Sequence, residues 1–463
     1  MRKNVHYNSY YNSCNMNWIQ LLGDSHGEAS VKSDRSIFER DYDRIVFSYP
    51  FRRLQDKTQV FPLPEQDFVH TRLTHSLEVS SVGRSLGKKV GEEILRSHPE
   101  LMERGFNQFD FGAIVSAACL THDLGNPPFG HTGEDAISDY FRSNQHGQFF
   151  KSQVSVAEWE DLINFEGNAQ GFRILTDHKY QGLRLTGPTL AAFTKYPRQS
   201  LLKTVDDARK SQKKFGYFQS EQSTFAELAE SLGMKALDPG QSWCRHPLAF
   251  LVEAADDICY HLIDLEDGCR LGLISEEETT QMFAGIMGEK FMPSKLQQIQ
   301  GRDERVGLLR AVSIGILIDQ CAEVFLKNEQ EILEGDFDTA LTELINCKDV
   351  LEQIIGVSIH KLYRSPLVLE IEAGGFEVLG GLLESFSKAS YKYVFDRANL
   401  SRKEHSVFRL LPESLKDTIS QQQTVYGLLR QIIDFVSGLT DRHAVGMYRK
   451  LKGMSLPGSS WIG

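Results

Sequence analysis

The 463-residue chain is poor in the features that mark several large protein classes. Its seven cysteines fall at irregular spacing. An odd, scattered set builds neither a disulfide framework nor a C-x-x-C zinc site. No uncharged apolar run approaches the ~18 residues that a membrane span needs. Basic residues number 51 against 62 acidic ones, for a net charge of −11. That balance argues against a protein that coats nucleic acid, while leaving room for a local basic groove. There is no internal repeat, no low-complexity tract and little period-two alternation. The Met1–Asn17 segment is polar and has no apolar core of a secretory signal. Together with the unpaired thiols this reads as a cytoplasmic protein.

What is present is helical periodicity over a length that permits two or three domains. Residues 1–34, broken by Gly23 and Gly27, read as a loosely ordered lead-in. Pro50 starts a helix expected to run from Phe51 to Phe61, stopped by Pro62 and Pro64. Thr71-Arg72-Leu73-Thr74-His75 opens a long helix striped with Leu77, Val79, Val82, Leu86 and Val90. A third apolar helix ends in His122-Asp123. The loop Gly125-Asn126-Pro127-Pro128-Phe129-Gly130 then breaks helical structure before His131 and Glu134. Residues 136–165 read as helical, interrupted near Ser143–Gln148. Lys195-Tyr196-Pro197-Arg198 and Lys213-Lys214-Phe215-Gly216-Tyr217 interleave cations with aromatics, which suits phosphate and base contacts, though each taken alone reads as surface charge.

From Pro247 a further helix carries Asp256, Tyr260 and Asp264 at i, i+4 and i+8, in one line. More helices follow, at 306–333, 338–356 and 422–438. The Gly374-Gly375 and Gly380-Gly381 pairs and Pro366 read as breaks, and Leu367–Glu372 as the best candidate for a short strand. The fold class is therefore all-α. An N-terminal lead-in (1–34) precedes a helical catalytic core (35–275) and a helical C-terminal region (276–463).

Polar residues on apolar helices are costly to bury unpaired. His75, His122, Asp123 and Asp256 form a mixed imidazole and carboxylate set, suited to Mn, Mg, Fe, Co or Zn with positions left open. Either acid of the Asp256-Asp257 pair could bind. Asp256 is preferred because its i+4 and i+8 neighbours are Tyr260 and Asp264. His70 lies outside this pattern and reads as incidental. His131 with Glu134 at i+3 supplies a proton donor or acceptor. Metal and proton-transfer pair together point to metal-assisted hydrolysis of a phosphate ester.

The H…HD…D order of His75, His122-Asp123 and Asp256 resembles the HD-domain metal-dependent phosphohydrolases. The surrounding stretches FRRLQDKTQVF, TRLTHS, HDLGNPPFGHTGE, FEGNAQG, TKYPR, EAADDICYHLIDLEDG and SGLTDRHA narrow this. Together they are similar to the bacterial deoxyguanosine triphosphate triphosphohydrolases (dGTPases), from about Arg35 to Gly453. The resemblance implies a helical HD-domain core and hydrolysis of dGTP, or of other dNTPs, to deoxynucleoside and tripolyphosphate. It implies His75, His122, Asp123 and Asp256 as ligands of a divalent ion, Mn²⁺ or Mg²⁺ first. His131 would act at the α-phosphate, supported by Glu134. Gln59 would contact the sugar, Tyr260 would pack against it, and Asp264 would bond its 3′-OH. Arg72, Lys195, Tyr196 and Asn168 would hold the phosphates. It also implies a homo-oligomer, hexameric in the family, with Arg442 facing a neighbouring subunit. Single-stranded DNA would be an effector, and no membrane partner is implied. The competing expectations are an HD-type nucleotide phosphodiesterase or 5′-nucleotidase, and a DNA-binding regulatory protein with a residual metal site.

Overall fold

The computed structural model describes residues 15–23, 35–59, 70–177, 183–364 and 366–454. Among these residues the only named strands are Ala236–Asp238 and Ser242–Trp243, an antiparallel hairpin. Everything else regular is helical, so the all-α expectation holds.

Two long helices set the frame. The His75 helix (Arg72–Ser97) starts at Thr71, whose side chain accepts from the Thr74 amide while Thr74 caps in return. Such reciprocal capping satisfies amide groups that the first turn leaves free. Gly83, Gly87 and Gly91 form a stripe down this helix, and a Cβ at any of them would collide with Cys119 or Phe111. Those residues belong to the His122 helix (Gln108–Thr121), so the two backbones approach closely along their length. The third member is the Asp256 helix (Pro247–Arg270), buried on most of its faces. Its N-cap, His246, accepts from the Leu248 amide and donates from Nε2 to the Leu21 carbonyl. Burial pushes that imidazole down to about 4, so it stays neutral and fills both roles.

The hydrophobic interior falls into two clusters. The first runs from Met16 to Leu362 and includes the three helices above. The second joins Phe129, Ile137 and Phe141 of the His131 helix (Gly130–Ser143) to Leu379, Leu383 and Phe386 of Pro366–Val394 and to Leu428 and Ile432 of Val425–Ser437. The metal-side and proton-side halves of the expected site therefore stand on different cores.

Several local expectations are corrected. The segment after Pro50 is an α-helix only over Tyr49–Arg53, with a 3₁₀ turn at Leu54–Asp56. Lys57 is extended because its amine turns inward to the carbonyls of Asn126 and Ser437. Residues 60 and 61 of that expected helix lie outside the described residues. Leu367–Glu372 is not a strand but the start of the Pro366–Val394 helix, with Pro366 in its first turn, where proline is tolerated. Both glycine pairs lie inside this helix. Side chains at Gly375 and Gly381 would press on the rings of Phe129 and Tyr448, so these glycines serve close packing rather than a break. The 306–333 helix divides at Asn328 into Arg302–Lys327 and Glu329–Glu334. The 338–356 helix begins only at Lys348. Within the lead-in, Met16, Trp18, Leu21 and Leu22 are buried on the first core.

Candidate active site

His75 leaves the first turn of its helix, His122 follows the last turn of its own, and Asp256 projects from the middle of the third. Because these helices pack through glycine, the two imidazole rings come within 5.2 Å of each other. His75 Nε2 is 3.2 Å from Asp256 Oδ1, and His122 Nε2 is 3.5 Å from the same oxygen. One ligand atom from each residue lies within 4.8 Å of the others. Asp123 is adjacent rather than convergent. Its Oδ2 takes a 2.6 Å salt bridge from Arg72 and lies 3.5 Å from His122 Nε2. Asp257 points elsewhere and accepts from the Thr342 hydroxyl. His70 bridges Asp267 and Glu78, away from the cluster.

The electrostatics fit a cation. Burial alone would raise the Asp256 carboxyl, but His122 and His75 hold it well below the usual carboxylate range. For Asp123 the same burial is outweighed by Arg72, His122 and His75, which bring it to about 2. Burial would lower the His122 imidazole, yet Asp123 and Asp256 push it up. Its Nε2 is buried without a hydrogen-bond partner while facing two carboxylates. Such an orphaned donor set is costly unless something positive occupies the space between. Imidazole and carboxylate ligands without thiolate suit a hydrolytic divalent ion rather than a structural zinc.

The His131–Glu134 pair stands on a separate helix. Phe129 adopts a left-handed conformation (φ 65°) and Gly130 follows at φ 60°, turning the chain into the His131 helix. His131 Nδ1 contacts Glu134 Oε2 at 2.8 Å, and its side chain is 80 % exposed. The hydrogen bond to Glu134 raises the imidazole pKa above its ordinary value, against partial burial. Glu134 is itself fixed by the Gly167 amide at 2.7 Å. Its burial is outweighed by His131 and Lys214, so it stays ionised.

A cavity of about 310 Å³ is lined by both groups. Its walls include Gln59, Arg72, Asn168, Lys195, Tyr196 and Tyr260 as well as His75, His122, Asp123, Asp256, His131 and Glu134. Lys195 pairs with Glu253 at 3.2 Å. Burial would weaken that ammonium, but Glu253 keeps it charged. Asn168 donates to Glu166. Asp264 alone among the expected residues stands back from the cavity. It is 3 % exposed and accepts from the Tyr363 hydroxyl. Burial raises its carboxyl to about 7.

Sequence reasoning missed several cavity residues. Lys214, 3.2 Å from Glu166 and 3.8 Å from Glu134, lines the cavity rather than the surface. The signal was Gly216, where a Cβ would run into the Tyr196 carbonyl, pinning the Lys214 segment against the TKYPR turn. Asn126 holds Asp123 Oδ1, from within the loop already singled out. Tyr363 ends a π-helical turn, Ile359–Tyr363, and stacks on Tyr260 at 6.1 Å. It lines an adjoining compartment of about 240 Å³ that shares Gln59, Arg72, His131 and Tyr260 with the main cavity. Nothing in the local sequence marks it.

The HD domain family matches residues 72–164, and the phosphohydrolase-associated domain matches residues 347–450. An HD domain implies a divalent metal, and the His75–His122–Asp256 cluster could hold one. The chain is 42 % identical to a deoxyguanosinetriphosphate triphosphohydrolase-like protein of Synechocystis sp., over 95 % of this chain and 100 % of that one. A protein of the same description from Pseudomonas aeruginosa is 39 % identical over 96 % and 100 %. The deoxyguanosinetriphosphate triphosphohydrolase of Salmonella typhimurium is 31 % identical over 94 % and 97 %. No described helix is long and apolar enough to cross a membrane. Identity of this extent, along nearly the whole of each relative, makes the chain a member of the deoxyguanosinetriphosphate triphosphohydrolase family, an HD-domain triphosphohydrolase.

Proposed function

We propose that the protein hydrolyses dGTP at the α-phosphate, releasing deoxyguanosine and inorganic tripolyphosphate, with Mn²⁺ or Mg²⁺ held by His75, His122, Asp123 and Asp256. The observation that carries this reading is that one cavity is lined both by the His75–His122–Asp256 cluster and by the His131–Glu134 pair. When bound, a divalent ion acidifies water and offsets phosphate charge.

The chain's own residues do the rest. Lys195, Lys214, Tyr196, Asn168 and Arg72 line the cavity and give a polyanion its counter-charges and donors. The 5′-oxygen of a nucleoside is a poor leaving group unless it is protonated. His131, whose imidazole pKa is raised by its hydrogen bond to Glu134, would give that proton. The adjoining compartment walled by Gln59, Tyr260 and Tyr363 offers space for the nucleoside. Gln59 and Tyr260 against the sugar would crowd a 2′-hydroxyl, and Asp264, reached through Tyr363, would secure the 3′ side. The same reading extends to a homo-oligomer, hexameric as the sequence resemblance implies, with single-stranded DNA as an effector. Native mass spectrometry with and without an oligonucleotide tests both.

The substrate assignment is tested by assaying chelator-treated protein with each dNTP and with GTP, with Mn²⁺ or Mg²⁺ restored. The expected result is metal-dependent turnover fastest with dGTP and strongly reduced with GTP. Equal rates for dGTP and GTP would overturn the sugar assignment, and no turnover of any dNTP would overturn the whole.

A further inference from the structure

The SGLTDRHA stretch is unexplained by the groups that line the cavity, yet one of its residues is fully committed to them. Asp441 opens the helix Asp441–Leu451 and is 1 % exposed. Its Oδ2 accepts from the Thr58 amide at 3.1 Å and from the Thr58 hydroxyl. Its Oδ1 accepts from the Phe129 amide at 3.2 Å. Thr58 immediately precedes Gln59, and Phe129 is two residues before His131. Both of those cavity residues therefore hang from one carboxylate that lies more than 300 positions away in sequence.

Each contact falls where the chain most needs support. Phe129 is in the left-handed region, where a bulky residue is strained unless its surroundings fix it. No side chain caps the His131 helix from its own N-terminal residue, so Asp441 is what holds the Phe129 amide. Thr58 makes an isolated antiparallel bridge to Thr71. The neighbouring bonds lace the same three segments together. Lys57 donates to the Asn126 and Ser437 carbonyls, and Arg53 donates to the Gly438 carbonyl at 2.7 Å.

We propose that Asp441 is a positioning residue, its carboxylate holding Gln59 and His131 in register across the cavity, so that the C-terminal region sets the geometry of the reaction. This rests on the reading that Gln59 meets the sugar and His131 passes the proton. Asp441 touches neither substrate nor metal ligand and acts only through Thr58 and Phe129.

The test uses full-length, metal-loaded protein and four variants. Asp441→Asn keeps the shape but leaves one amide facing an NH₂ group. Asp441→Ala removes both acceptor oxygens and with them all three hydrogen bonds. Thr58→Val removes only the hydroxyl. Lys450→Ala, exposed on the same helix, is the control. Misplacing a reacting group by about 1 Å costs on the order of a hundredfold. The expected result is a kcat loss of about tenfold for Asp441→Asn and about a hundredfold for Asp441→Ala, with metal content retained. Thr58→Val is expected to lower the dGTP-over-GTP preference with little change in kcat, and Lys450→Ala to match wild type. If Asp441→Ala does not fold, Asp441→Asn and Thr58→Val still decide. Wild-type kcat and KM in Asp441→Asn, or losses that merely follow the folded fraction, would overturn the proposal. Failure of the functional reading would show separately, as wild-type protein that does not turn over dGTP. The variants are then compared on whichever nucleotide it does use.

Discussion

The wall carrying His75, His122 and Asp256 is made of long helices packed through glycine on the first core, with each of the three at or within a regular element. The wall carrying the proton-side pair is made differently. His131 and Glu134 stand on a 14-residue helix entered through a left-handed turn, on the second core. They are held by Gly167, Lys214 and, through Phe129, Asp441. A metal needs three or four donors at fixed separations, which rigid helices provide. A proton-transfer pair needs access to substrate, and an exposed imidazole on a braced loop–helix junction provides that. The two walls should accordingly fail in different ways.

The largest effect is expected from breaking the metal wall. His122→Ala should lose bound metal and turnover together, measured by elemental analysis and steady-state assay on the same sample. Retained metal with full rate would remove His122 from the ligand set. His131→Ala should separate the two walls. Metal content stays at the wild-type level while kcat falls by ~10²–10⁴-fold, the usual range for general acid–base help. Metal loss in this variant would mean that the walls are not independent.

Asp264→Ala sharpens the comparison on the sugar side. It strips the Tyr363 hydroxyl of its buried acceptor, so KM for dGTP should rise about tenfold with a smaller change in kcat. An unchanged KM would confine Asp264 to folding.

The smallest effect concerns pH. Glu134 raises the His131 pKa, so an acid role is fully available below that raised value and is lost as pH climbs through it. Glu134→Gln removes the raising contact. The alkaline limb of the kcat profile should therefore move to lower pH, and a limb that stays in place would remove Glu134 from the pair.

Much of the metal wall was legible in the sequence, because 3.6-residue periodicity locates helices and i, i+4 spacing fixes which side chains share a line. His75, His122 and Asp256 are each tied to such a helix. What was not legible depends on distant contacts. Lys214 is read as surface charge until Gly216 is seen against Tyr196. Tyr363 belongs to a π-turn with no local mark, and Asp264 lies behind it. The six-residue alternation at 367–372 fits a strand or a helix equally, and the 29-residue helix around it decides. Lys57 leaves its expected helix because two carbonyls, one 380 residues away, take its amine.

The most direct test of the central claim, that both walls act on the α-phosphorus, is hydrolysis of dGTP in ¹⁸O-labelled water with product separation by ion exchange. The account predicts unlabelled deoxyguanosine and intact tripolyphosphate carrying one ¹⁸O atom. Deoxyguanosine monophosphate with pyrophosphate, or label in the nucleoside hydroxyl, would contradict it.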